Sequence, residues 1–507
     1  MTSTLTVHLR TLTPLWTGGI DGTMDRIHET GILGSLRWWY EAIVRGLGGY
    51  ACDPTQHEHE LTGERLRRYE RARREGKDWW EALDEAGICD ACKVFGTTGW
   101  RRRFRLEVRP LKGEFDVTEG MFPSGRVHPD RRNPYRTGGW FLRGGYHGEM
   151  ELKFIGDKEV LWCEILPVLL FIEKWGALGS KTSLGYGVFE ILSINGQQKE
   201  LGQCWREFLQ NESDNVFDLQ ECPRLVGRWW WDGQIPSSVY QGILPALTNM
   251  FFAKVQFSPD VSSASGEWWE QFQEVRWLSQ GEIPENEANW TGNPQQRPSG
   301  PYKISNPLPV SRLHHWVACH NTFPIAPILR TRLRYGSESV CNGNGESDWF
   351  RFVFGTVQGR GKVCGYCGTQ VRPDRNDPHR WWCPDGRVSL NPFEVIKDAK
   401  RIQSKIRISW AYQINEQGWE IRIWGWHPED QQHQHNQQRI LLQNLRNVLG
   451  VNNPNARQWH TAQNDHLWQD MNISTPQICW FDKSEHESTI DYLKVLLQCR
   501  CEDNSGG

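Results

Sequence analysis

Trp175-Gly-Ala-Leu-Gly-Ser-Lys-Thr-Ser-Leu-Gly-Tyr-Gly-Val-Phe-Glu-Ile191 decides how the first half of the chain is read. An apolar, helix-like run (Val160 to Trp175) precedes it, and a strand-like run (Val188 to Ile194) follows. Gly176, Gly179, Gly185 and Gly187 stand among small polar residues and Lys181. Glycine lets main-chain N–H groups approach a ligand and accepts positive φ. A concave row of N–H groups beside a lysine favours an anion, above all phosphate. The alternative is a plain connector, since glycine-rich loops are common. The choice rests on what surrounds the loop.

Upstream, Thr4 to Leu12 alternates apolar and polar residues as a strand does and stops at Thr13-Pro-Leu-Trp-Thr-Gly-Gly19. Gly31-Ile-Leu-Gly-Ser-Leu-Arg37-Trp-Trp-Tyr40 opens a helix reaching about Leu47, with Ile32, Leu36, Trp39 and Ile43 on one face. Arg37 sits one turn into that helix, where a helix start attracts phosphate. Leu61 to Glu85 mixes both charge signs and reads as a solvated helix. Arg101-Arg102-Arg103-Phe104-Arg105 leads a strand with arginines on one side. Pro110 to Gly148 is expected as a long loop or extended hairpin projecting from the domain. Glu149 to Ile155 is a further strand. The order is β-α-β-β-α-β, a ferredoxin-like pattern related to RNA-recognition folds.

At 507 residues the chain exceeds one ordinary core. The expected division is residues 1–200 as a first ferredoxin-like unit, with a metal-binding helical insertion at 52–92 and an extended loop at 110–148. Residues 201–249 read as a linker, and 250–507 as a second, divergent unit with a zinc knuckle inserted at 341–383. In that second unit Pro327 to Tyr335 resembles Gly31 to Tyr40, placing Arg334 near the position of Arg37. Met250 to Phe257, Ser404 to Tyr412 and Gly418 to Trp426 read as strands, and Asn436 to Leu449 as a helix. The fold class is α+β, with two ferredoxin-like units in tandem.

A net charge of −3 excludes a general polyanion binder, so any nucleic-acid surface is a local patch. Most of the 28 tryptophans are expected in cores, leaving a few able to stack on bases. Met1 to Arg10 has no signal-peptide pattern, and no run approaches the ~18 apolar residues of a membrane span. A cytoplasmic protein with reduced thiols is the expectation, so clustered cysteines point to metal.

Two clusters qualify. Cys364-Gly-Tyr-Cys367-Gly368, followed by Cys383, has the form of a zinc knuckle. Its fourth ligand is Cys341 or His379, and Cys341 is preferred because His379 lies so near Cys383. The second cluster is Cys89 and Cys92 with Cys52 and either His57 or His59. Neither has an evident acid or base partner, so both read as closed structural sites. The remaining cysteines are assigned as core thiols.

Four pieces together resemble the RAMP superfamily of CRISPR effector proteins, within it the first-subunit family of the type III-B (Cmr) complexes. They are Thr13 to Gly19, Gly31-x-x-Gly34-Ser35-Leu36-Arg37-Trp38-Trp39, Cys92-x-Val94-Phe95-Gly96-Thr97 and the Gly176 to Gly187 loop. The resemblance implies a prokaryotic subunit that holds the 3′ end of a CRISPR guide RNA beside RAMP backbone subunits, with complementary target RNA as a further partner. The glycine loop (Gly176, Gly179, Ser180, Lys181, Thr182) and Arg37 are then expected on guide phosphates. Arg101, Arg102, Arg103 and Arg105 extend the track, which recognises shape and backbone rather than bases. In related backbone subunits a loop aspartate after the first strand cleaves target RNA. Asp25 stands nearest that place, with Asp21 also in the loop. The expected role is non-catalytic guide binding. The competing readings are a metal-dependent RNase using Asp25, and a processing endoribonuclease using His28 or His147.

Overall fold

The computed structural model describes residues 2–19, 22–53, 59–115, 119–200, 203–211, 222–234, 242–259, 267–335, 352–355, 361–384, 387–390, 394–396, 404–428, 437–451, 459–462, 466–471, 473–483 and 488–498. It is a mixed α+β protein built around two antiparallel sheets. In the first, β1 (Thr2–Thr11) lies at the centre, with β5 (Tyr146–Asp157) on one side and β6 (Phe189–Ile194) on the other. β2 (Phe104–Phe115) adds outside β5, giving the order β2-β5-β1-β6. Leu5, Val7 and Leu9 of β1 and Met150, Leu152 and Phe154 of β5 alternate inward. The opposite face carries cross-strand ion pairs such as His8–Glu149 at 3.0 Å and Arg109–Glu151 at 3.2 Å.

Helix α1 (Glu29–Gly46) and α5 (Leu166–Trp175), the latter entered through a π-helical turn at Val160–Ile165, cover the apolar face. The helical spacing of Ile32, Leu36, Trp39 and Ile43 places all four in the core. These helices are buried on both sides. Their outer surface meets the second sheet, where Trp39, Phe171 and Trp175 pack on Phe252, and Trp38 lies 5.6 Å from Trp426.

The second sheet centres on β7 (Met250–Phe257), the strand bounds expected from the sequence. It is flanked by β10 (Trp419–Trp426) and β11 (Gln477–Asp482). β8 (Ile406–Ile408) and β9 (Ala411–Gln413) both pair with β10. Helix α6 (Val310–His320) contributes Leu313, Trp316 and Val317 to the far face, and α7 (Ala326–Tyr335) contributes Ile328, Leu329 and Leu333. α8 (Gln437–Leu449) adds Leu441 and Leu445 there, while α9 (Thr489–Gln498) closes the side facing the first unit. Every residue of β10 is buried, because both faces of this sheet are covered.

Four expectations need correction. Of the long loop or extended hairpin expected at 110–148, the structure has the hairpin: β2 continues, then β3 (Gly120–His128) pairs with β4 (Arg136–Leu142), but it does not project. This hairpin docks rather than projects: Phe122 enters the second core, and the Met121 N–H donates to the Asn306 carbonyl at 2.8 Å. Leu61 to Glu85 forms two helices, α2 (Gly63–Arg74) and α3 (Trp79–Glu85), broken where Gly76 takes φ +90°. Of the segment read as a linker, residues 203–211 and 222–234 fold back on the first unit, and Trp205, Leu209 and Trp229 to Trp231 join its core. That return brings Cys222 to Cys163, with Cα atoms 5.7 Å apart, and the two form a disulfide rather than core thiols. Among the described residues no helix is long and apolar enough to cross a membrane.

Candidate nucleic-acid interface and metal centres

The Gly176 to Gly187 loop lies in the seam between the two sheets. Ser35 Oγ of α1 accepts from the Gly179 N–H at 2.9 Å, and the Trp16 carbonyl accepts from the Ser180 N–H at 2.7 Å. The Pro14 carbonyl takes the Gly187 N–H at 2.9 Å. From the second unit, the Trp410 N–H donates to the Gly185 carbonyl at 3.2 Å and Trp410 Nε1 to the Leu184 carbonyl at 2.7 Å. Much of the N–H row expected to face a ligand is therefore spent within the protein. The glycines have a second reason to be there. A Cβ on Gly187, at φ +91°, would stand 1.9 Å from the Leu178 carbonyl oxygen. One on Gly185, at φ +95°, would stand 2.3 Å from the Trp410 ring. Gly187→Ala is thus expected to destabilise the chain by about 2 kcal/mol or more through clash and left-handed strain, measured as a urea midpoint shift.

Lys181 sits at the loop apex at φ 58°, with its ammonium 4.3 Å above the Trp16 ring. Burial and the neighbouring Arg143 guanidinium lower its pKa to about 8. Gly176 lies against Trp39 of α1, and the Thr182 carbonyl accepts from the Gly185 N–H at 3.2 Å. Lys181 is the loop's cation, and an anion beside it would strengthen its charge.

Arg37 is placed elsewhere. Its Nε donates to Glu41 at 2.8 Å and its Nη2 to Cys92 Sγ at 3.4 Å, so it braces α1 against the cysteine cluster. Of the arginine strand, Arg101 is exposed, while Arg102 Nε donates to the Phe104 carbonyl at 2.7 Å. Arg103 pairs with Asp157 at 2.9 Å and stacks on Trp79, and Arg105 pairs with Glu107 at 2.6 Å. Arg334 stacks on Tyr335 at 4.9 Å. The continuous track drawn from the sequence divides into a seam site around the glycine loop and a separate set of arginines beside the cysteines.

Sequence reasoning missed the cations of the second unit. Arg330 donates to the carbonyls of Ser183, Ile406 and Phe354, and so ties α7 to the glycine loop. Lys405 and Arg407 flank Ile406 on the buried, α1-facing side of β8. Arg422 reaches the Gly176 carbonyl at 3.4 Å and the Tyr412 hydroxyl at 2.7 Å. An alternating Lys-Ile-Arg-Ile strand looks like one with a wet face; only the neighbouring apolar strand, buried on both sides, signals otherwise.

Cys52, His59, Cys89 and Cys92 are buried, with donor atoms all within 4.8 Å of one another, and the group can hold a metal ion. Cys89 and Cys92 lie at the start of α4 (Asp90–Phe95), and α2 and α3 form the excursion between them and Cys52. Among the described residues His59 completes this set, and His57 lies outside them. The Tyr50 hydroxyl is 3.1 Å from His59 Nε2, leaving Nδ1 on the Cys89 side. Cys52 Sγ and Cys92 Sγ are 3.7 Å apart, too far for a disulfide and close to the edge of a tetrahedral zinc–thiolate site, about 3.8 Å for ~2.3 Å bonds. Hydrogen bonds from Cys52 and Cys92 hold the Cys89 thiol far below its ordinary pKa. Cys364, Cys367 and Cys383 form a second buried group, with Cys367 and Cys383 sulfurs 3.6 Å apart. Cys341 lies outside the described residues, and His379 is exposed.

Asp25 is 69% exposed and held by His28 Nε2 at 2.8 Å, which lowers its pKa. Asp21 lies outside the described residues. His147 is packed against Trp316 and His320, and burial followed by the His320 charge lowers its pKa to about 3.

Residues 8–190 match the model of the RAMP superfamily. No curated protein matches the chain. Similar solved structures include Cmr1 from Pyrococcus furiosus in its apo form, at 11% identity and TM-score 0.32 over 84% of this chain and 89% of that one. Another is a chain of the type III-B Cmr-beta assembly bound to cognate target RNA, at 12% identity and TM-score 0.35 over 87% and 98%.

Proposed function

We propose that residues 8–190, which match the RAMP-superfamily model, form a RAMP domain and that the protein is a non-catalytic guide-RNA-binding subunit of a type III-B-like CRISPR effector. It holds the guide 3′ end and the adjoining end of the guide–target duplex, beside RAMP backbone subunits in the cytoplasm. The observation that carries this reading is the family match, which spans the glycine loop, α1 and the loop after β1. The architecture proposed is two ferredoxin-like units in tandem. The shared strand order supports it: β2-β5-β1-β6 in the first sheet has its counterpart in β9-β10-β7-β11 in the second. Helices intervene after the first and third strands in both. The domain division at 1–200 and 250–507 follows, with residues 203–211 and 222–234 packed onto the first unit. Zinc is the proposed occupant of both cysteine groups, one ion each, with His59 as the nitrogen ligand of the first and Cys341 as the fourth ligand of the second. Their role is structural: each pins an insertion to its unit.

Lys181 at the loop apex takes a guide phosphate in this reading, and Arg101 and Arg334 supply further cations. The exposed Asp25–His28 pair favours a second reading, a metal-dependent RNase, because an exposed carboxylate is free to take a cation and a water. The two separate in one experiment. The assembled effector is incubated with guide and complementary RNA, in wild-type form and with Asp25→Ala. Unchanged cleavage is expected. Loss of the cut nearest the guide 3′ end would make this chain the nuclease there. Cleavage of precursor RNA by the isolated chain without metal would instead favour a processing enzyme.

A further inference from the structure

Two cations in the second unit are buried with no opposite charge among the described residues. Lys405 and Arg407 are 7% and 8% exposed, on the side of β8 that faces α1. Arg407 Nη1 is buried with no acceptor among the described residues, and its guanidinium lies 5.2 Å from the Trp426 ring. The Lys405 ammonium is 3.8 Å from the Phe352 ring and 5.5 Å from Trp426. Among the described residues no carboxylate pairs with either. Arg330, 3% exposed, spends its Nη atoms on main-chain carbonyls, and its Nε has no acceptor.

The contrast lies on the same sheet face. There Lys254 and Arg422 share Glu420, each at 3.5 Å, with Tyr412 and Gln256 completing the network. A buried charge needs a partner, because desolvation outweighs what aromatic faces return. Burial and Arg407 pull the Lys405 pKa down to about 7, and burial, Arg407 and Arg334 pull Arg330 down to about 9. An anion would restore both.

We propose that Lys405, Arg407 and Arg330 form a phosphate pocket at the seam, next to Thr182 to Leu184 of the glycine loop. A guanidinium fork and an ammonium suit the several oxygens of one phosphate. The Arg330 bond to the Ser183 carbonyl places the pocket against the glycine loop. The identification of that phosphate as one in an RNA strand rests on the guide-binding reading above; the pocket itself rests on the unpaired charges.

The test uses the full chain with two probes, inorganic phosphate and a single-stranded RNA oligonucleotide, against wild type, Lys405→Met, Arg407→Met and Arg407→Lys. Wild type is expected to melt higher with phosphate and to bind RNA. Arg407→Met is expected to melt higher than wild type without ligand, since an unpaired buried charge is gone. It should lose the phosphate response and bind RNA at least about tenfold more weakly, with a salt slope shallower by about 0.7 per lost contact. Arg407→Lys should recover part of both responses. If wild type responds to phosphate but not RNA, and the Met variants do not, the pocket stands and the guide-binding reading fails. If RNA binds wild type and Met variants equally with the same salt slope, the pocket is wrong while RNA binding stands. Met variants that melt lower without ligand would also overturn it, by making these cations structural.

Discussion

Cys92→Ser is expected to halve the zinc content, from two ions per chain to one, and to destabilise the first unit by more than about 4 kcal/mol, in the range seen for loss of a metal site. The four donors of the first group sit at the base of an insertion with little apolar core of its own. Within α2 only Ala72 is buried. Structural zinc contributes roughly 10–16 kcal/mol to the folding of small zinc peptides, so removing one thiolate takes away most of what fixes this insertion. Amide exchange should quicken across residues 59–95 and stay unchanged in β7 and β10. Arg37→Met gives a graded companion. It removes the donor to Cys92 Sγ and is expected to weaken zinc binding 10–100-fold while leaving the second group loaded. Cys383→Ser should empty the second group alone. Elemental analysis with a melting curve reads all three. Two zinc ions retained in Cys92→Ser, or none in wild type, would remove the metal assignment.

Arg422→Met carries the next largest effect, about 3–5 kcal/mol, the usual result of breaking a buried ion pair from one side. Arg422 is fully enclosed, held charged against burial by the Tyr412 hydroxyl and Glu420. It donates to the Glu173 and Gly176 carbonyls at the end of α5, so one side chain joins the second sheet to the root of the glycine loop. Its removal leaves Glu420 with Lys254, Gln256 and the Tyr412 hydroxyl. The expected signature is a lower urea midpoint together with faster amide exchange from Gly176 to Gly187. A change below about 1 kcal/mol would mean that the seam is held by the aromatic packing of Trp39 and Trp175 on Phe252 alone.

Much of the first unit was legible because its signals are local. Alternation in β1, the apolar face of α1 and the two bounding helices follow from residues within a few positions of one another. The cysteine groups were legible for a related reason: Cys89-x-x-Cys92 and Cys364-x-x-Cys367 fix two ligands by spacing alone. That His59 comes up to the three sulfurs depends on how α2 and α3 fold back, which spacing does not give. The destination of Arg37 also depended on a distant partner, since Cys92 reaches it only once α4 packs on α1. Trp229 to Trp231 looked like a tryptophan-rich linker because the surface that buries them comes from the Val160–Ile165 turn and α5. The cations of β8 were missed because only the second unit's place against α1 shows that their face is buried. In the glycine loop, glycine for close packing and glycine for phosphate leave the same sequence mark; the protein-to-protein hydrogen bonds of its N–H groups separate them.

The central claim is that this chain grips guide RNA at its 3′ end through the seam between its two sheets. Photocrosslinking of the assembled effector, with a photoreactive nucleotide at either end of the guide and peptide mapping by mass spectrometry, tests it most directly. The account predicts adducts from the 3′-terminal label on the Lys181 to Leu184 stretch and on Lys405 to Trp410, and none from the 5′ label. Adducts from the 5′ label on those peptides, or 3′ adducts confined to other subunits, would contradict it.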